Sequence, residues 1–256
     1  MNEQEAQNEV LNLVEEISGK PVIIQAEPSL TFHATIKIAA EDAPAHVLLY
    51  KTQLEPELPY FACFESGFAI RSFQLPASDR FDVASTATAH AHVDRLVKEH
   101  FRKKKRLLPP RVTKQLEQQL VNGLGVQLRS MPVGMRVDAW IHDKYPSLRG
   151  MQRTAAIRQI NEGAAALAPS IRDISPKKVF NASVSMNAAF ALFWSQLWGD
   201  ETVVTPYKTS GHSKNGEALL ALLDDVSSMP ASDRELIMTW MNKLDVNGWY
   251  KCVPRR

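Results

Sequence analysis

Apolar side chains recur at helical spacing through most of this chain and alternate in one short region only. Val10, Leu11, Val14 and Ile17 form a single stripe, which predicts a helix over residues 3–18 closed by Gly19 and Pro21. Residues 31–38 alternate and carry β-branched side chains, and residues 46–50 form a short apolar run. With Asp42 and Pro44 punctuating the link, they predict two short strands. Pro59 sits where a helix starts, with Glu55 and Glu57 on the favourable side of its dipole. From there the pattern is apolar on almost every side until the helix ends near Leu75-Pro76.

Helical spacing returns over 81–106, where Leu107-Leu108-Pro109-Pro110 stops it, and over 111–130, where Leu116, Leu120 and Leu124 recur. A short helix is predicted around 136–142 and another over 147–167. Pro176 opens a strongly apolar helix that carries Phe180, Met186, Phe190 and Trp194 and ends at Gly199. A polar loop over 199–215 precedes two last helices, 216–226 and 231–244, the second with Ser232 and Glu235 spaced as a capping box. The class is α+β, predominantly helical. A small sheet and the helix beside it occupy residues 1–80, and a helical part over 81–256 packs on them in one continuous unit.

Between Glu57 and Arg71, Glu65 is the single side chain normally charged at neutral pH. A carboxylate in an apolar helix needs a partner, a raised pKa or a functional reason, because burying it unpaired is costly. Arg71, Arg136 and a backbone donor are the candidate partners. The sequence Phe64-Glu65-Ser66-Gly67-Phe68 keeps the outline of the zinc-peptidase motif H-E-x-x-H, with phenylalanine in both histidine positions. In that motif two imidazoles at i and i+4 hold zinc and the glutamate activates the bound water. Phenyl rings can fill the same space but offer no lone pair. They are expected to face inward and to pack on the strand at 46–51.

With Gly67, the closing Ile70-Arg71 and the preceding strands, this stretch resembles the ImmA/IrrE-type and minimal gluzincin metallopeptidases over roughly residues 20–75. The resemblance implies a zincin-like sheet and motif helix. It also implies Glu65 as the relic of a general base, Phe64 and Phe68 as degenerate metal positions, and Asp138 as the match to a third, acidic ligand. It further implies a catalytically inactive metallopeptidase-like protein that works as a binding or regulatory module, with no metal and no cofactor. A protein or peptide partner would lie by strand addition in the groove between sheet edge and motif helix. Active relatives of this type act on regulators of stress responses and mobile elements.

Composition narrows this picture. The 256 residues carry a net charge of +2, so the chain as a whole is no polyelectrolyte, and 45% hydrophobic residues suffice for a sizeable core. The acidic start Met1-Asn2-Glu3-Gln4-Glu5 shows no secretory signal, and no apolar run reaches the roughly 18 residues that a membrane span requires. Two cysteines, Cys63 and Cys252, make neither a disulfide framework nor a C-x-x-C zinc site. A reducing cytoplasm is the plain reading.

Two alternative functions stay open. One is a hydrolase with an unrecognised metal site drawn from His33, His46, His100, His142 and Asp138, although no pair of these has ligand spacing. His90 and His92 read as a solvated helix face, since i and i+2 on a helix point about 200° apart and cannot share an ion. The other is a nucleic-acid or acidic-partner module using residues 98–111. Its dense run Arg102-Lys103-Lys104-Lys105-Arg106 exceeds what a helix C-terminus needs. The serines weighed as nucleophiles, Ser66 and Ser213, have no identifiable base, and residues 209–216 lack the order of a phosphate loop.

Overall fold

A computed structural model describes residues 1–40, 42–225 and 228–255. It divides into two compact units. One comprises residues 1–80, 134–156 and those from Pro254 on; the other comprises 81–133 and 157–253.

The first unit opens with α1 (Glu3–Ser18). Asn2 caps it through a complete capping box with Glu5, and Gly19 ends it in the left-handed region at φ 73°. Three strands follow: β1 (Val22–Ala26), β2 (Ala34–Lys37) and β3 (His46–Tyr50). The order is β1-β3-β2, with β3 parallel to β1 and antiparallel to β2, so β2 is an edge strand. His46, at the start of β3, is fully buried. Its ring nitrogens bond the Ala39 amide at 2.9 Å and Ser18 Oγ at 2.9 Å. Burial therefore lowers its pKa. The helix α2 (Leu58–Phe73) has Pro59 in its first turn and buries Tyr60, Phe61, Ala62, Cys63, Ala69 and Ile70. Cys63 is a core residue whose thiol burial pushes up to about 12.

The second unit differs in several places from what periodicity suggests. Residues 81–85 form a strand, β4 (Phe81–Ser85), and the helix expected there begins later as α3 (Ala87–Lys103), capped by Thr86 Oγ1 on the Ala89 amide. The strand pairs with β5 (Tyr250–Pro254) at the far end of the chain. The helices expected at 111–130 and 136–142 are one, α4 (Pro110–Lys144), which continues through Pro132 and supplies residues to both units. Proline inside a helix costs about 3 kcal/mol. Every residue from Met131 to Asp138 is buried, so packing offsets that cost.

Next come α5 (Arg149–Ala165), α6 (Pro169–Ile174) and α7 (Lys177–Trp198), which Gly199 ends at φ 65°. The expected loop at 199–215 contains a short helix, α8 (Thr205–Thr209), before α9 (Ser213–Asp225). Residue 226, where α9 was expected to end, lies outside the described residues. The last helix is α10 (Asp233–Lys243). Ser232 makes no side-chain cap there; its hydroxyl bonds the Met229 carbonyl at 2.7 Å instead. Closest packing in this unit joins α7 and α9. A Cβ on Gly216 would lie 2.8 Å from the Ala188 backbone, so only glycine fits. Among the described residues no helix is long and apolar enough to cross a membrane.

Candidate functional site

On α2, Glu65 is half-buried and its Oε2 accepts the Ile36 amide of edge strand β2 at 3.1 Å. Of the partners expected for this carboxylate, the backbone donor is therefore in place. Phe64 and Phe68 meet edge-to-face, with ring centroids 5.3 Å apart, and both are half-buried. Their neighbour is Gly134 of α4, whose added Cβ would stand 3.2 Å from Phe64 Cζ and 3.5 Å from Phe68 Cζ. The two rings thus pack on a helix where the strand at 46–51 was expected. One glycine on each helix, Gly67 on α2 and Gly134 on α4, makes this approach feasible. A Cβ on Gly67 would lie only 2.4 Å from Val137 Cγ1.

Asp138 is buried at 1% exposure, and its Oδ1 accepts Tyr60 Oη and Gln152 Nε2, each at 2.9 Å. Burial pushes its carboxyl up to about 7, against the lowering effect of those two donors. The same carboxylate helps raise the Tyr60 phenol far above its ordinary value, although burial is the larger cause. Gln152 reaches on to His142 Nδ1 at 3.3 Å. Asp138 is therefore held by α2 and α5 as a core acid, with neither imidazole nor thiolate bonded to it. Among the described residues no three His, Cys, Asp or Glu side chains come together in a way that could hold a metal ion.

In the second unit the basic run divides by role. Lys104 and Arg106 both clasp Asp173, Arg106 at 3.0 Å, and the Lys104 bond lowers the Asp173 pKa. Lys98 pairs with Asp94 one turn away at 2.7 Å. Arg102 and Lys105 are exposed on the surface. Lys103, exposed like them, lines an open cavity of about 700 Å³ together with exposed Lys177 and Lys243 and half-buried Lys178. Four lysines there face two carboxylates, Glu99 and Asp245, and Lys178 is paired with Asp245 at 2.7 Å while lying over the Trp249 ring. Lys103, Lys177 and Lys243 have no ion pair among the described residues. The cavity is also lined by the start of α7, where Pro176 precedes Lys177 and Lys178, whose amides have no acceptor within the helix. Asn181, Asn215 and His100 add polar groups to the wall.

Sequence reading reached two residues of this cavity, Lys103 in the basic run and His100 as a possible metal ligand. It missed Lys177, Lys178 and Lys243, for which the available signal was the Pro176-Lys177-Lys178 start of a helix. The histidines of His90-x-His92 diverge as helical geometry demands. His90 turns to Glu117 and Ser85, and His92 lies on Trp249 with its pKa lowered chiefly by burial. No family model, curated protein or solved structure matches this chain.

Proposed function

We propose that this protein binds a small anionic ligand, of the class of phosphorylated metabolites, in the lysine-lined cavity. The observation that carries the reading is the presence of three lysines with no ion pair among the described residues, Lys103, Lys177 and Lys243, around one concave space at the start of a long helix, where lysines outnumber carboxylates four to two. Like charges brought together oppose folding unless a ligand or solvent compensates them, and a helix N-terminus adds favourable potential for an anion. A volume of about 700 Å³ suits a small molecule. An extended nucleic-acid backbone would instead draw on the whole 98–111 run, and much of that run is occupied by Asp94 and Asp173.

Titration with inorganic pyrophosphate tests this. Binding is expected to weaken as salt rises and to fall by about tenfold or more when Lys103, Lys177 and Lys243 are replaced together by Gln. Exposed Lys251→Gln serves as the control.

A second reading, the metallopeptidase-like binding module, is favoured by the placement of Glu65 beside edge strand β2. An extended peptide would add along that edge and exchange the Glu65–Ile36 bond for its own carbonyl. This reading predicts that Glu65→Ala strengthens peptide capture by freeing the Ile36 amide. Unchanged capture would count against it.

A further inference from the structure

Away from the lysine cavity, three side chains of the second unit form a continuous line. Ser85 Oγ lies 3.1 Å from His90 Nε2, and His90 Nδ1 lies 2.5 Å from Glu117 Oε1. Each belongs to a different piece of the fold. Ser85 ends strand β4 and is exposed, His90 is in the first turns of α3, and Glu117 is on α4 with no exposed surface. Lys114 holds the second carboxylate oxygen of Glu117 at 2.7 Å, so that this buried acid is compensated on both oxygens.

The tautomer follows from the partners. With Glu117 Oε1 as acceptor, Nδ1 carries the proton, and in the neutral ring Nε2 is then the acceptor that faces the serine hydroxyl. This is the nucleophile, base and orienting-acid relation of serine hydrolases.

We propose that Ser85, His90 and Glu117 form a serine-hydrolase site that cleaves small, solvent-accessible acyl esters. Ser85 Oγ bonds to the acyl carbon while its proton passes to His90 Nε2. The carbon–oxygen bond to the leaving alcohol then breaks, and the alcohol departs with that proton. Water reverses the sequence: its proton goes to Nε2, its oxygen bonds to the acyl carbon, and Ser85 leaves and regains its proton. Ester and water become acid and alcohol, with no other reactant. Glu117 acts as the positioning residue for the imidazole.

Charge developing on the carbonyl oxygen has a stabiliser at hand in the start of α3. Ala87 and Thr88 are its first residues, and their amides have no acceptor within the helix. Ala87, Thr88 and Ala91 are small and exposed, which leaves Ser85 open to a substrate without bulky walls.

The test is to treat the full chain with diisopropyl fluorophosphate, locate adducts by mass spectrometry, and follow p-nitrophenyl acetate hydrolysis. One adduct on Ser85 is expected. It should be absent in Ser85→Ala and strongly slowed in His90→Asn, with ester hydrolysis falling by about 10² to 10⁴-fold in both. Ser85 is an exposed strand end, so Ser85→Ala should keep the wild-type circular dichroism and melting temperature. Folded wild-type protein left unlabelled at saturating reagent would overturn the proposal. Labelling or hydrolysis that persists in Ser85→Ala would overturn it equally.

Discussion

Replacing Asp138 by Asn separates a buried acid from an ordinary one through pH. In the folded protein the carboxyl is pushed up to about 7, from an ordinary value of 3.8. Below about pH 4 both states hold the proton and the acid carries no penalty. As pH rises from 4 to 7 the unfolded chain loses the proton while the folded chain keeps it, so stability falls. Above 7 both states are ionised and the loss levels off.

The full shift, from 3.8 to about 7, corresponds to about 4 kcal/mol, of which roughly half to two thirds is lost between pH 5 and pH 8. Asn retains an oxygen for Tyr60 Oη and Gln152 Nε2 and has no charge to bury. Asp138→Asn should therefore gain on wild type by about 2–3 kcal/mol between pH 5 and pH 8. Urea titrations of both proteins at the two pH values give the difference directly. A gap between them that does not change with pH would refute the assignment of Asp138 as a dry, protonated core acid.

Two further outcomes concern α2. Glu65→Gln keeps an acceptor for the Ile36 amide and should alter stability little, whereas Glu65→Ala should cost about 1 kcal/mol, because the half-buried edge amide regains only part of its hydration. Denaturant midpoints check both, and an equal loss in the two variants would show that charge, not the hydrogen bond, is what Glu65 supplies. Gly67→Ala forces a Cβ to within 2.4 Å of a stiff Val137 and should cost about 1–3 kcal/mol. Gly150→Ala on α5, with no atom within 4 Å of the added Cβ, should be neutral or mildly stabilising in the same melts.

The N-terminal helix, the strands at 34–37 and 46–50 and the apolar helix around Glu65 were legible because their signals are local: a cap, an alternation, an all-round apolar run. Strand β4 was not. Its partner β5 lies at the other end of the chain, and residues 81–85 carry no alternation of burial that would mark a strand by itself. The expected helix stopped at 130, where Gly123 and Gly125 weaken its end, because the burial of residues 131–138 that carries α4 on through Pro132 is a tertiary property. Chemistry followed the same rule. Glu65 was visible as an anomaly of one helix, but Lys103, Lys177 and Lys243 become a site only when α3, α7 and α10 converge. Ser85, His90 and Glu117 likewise span three elements, and Glu117 looks in sequence like any charged helix residue.

Calorimetric titration of the intact chain with inorganic pyrophosphate at low and moderate salt addresses the lysine cavity most directly. One site per chain is expected, with affinity falling as salt increases and by about tenfold or more in the Lys103, Lys177 and Lys243→Gln triple variant but kept in Lys251→Gln. Absence of binding to the folded wild-type chain at millimolar pyrophosphate, or equal binding by the triple variant, would contradict the assignment of this cavity as an anion site.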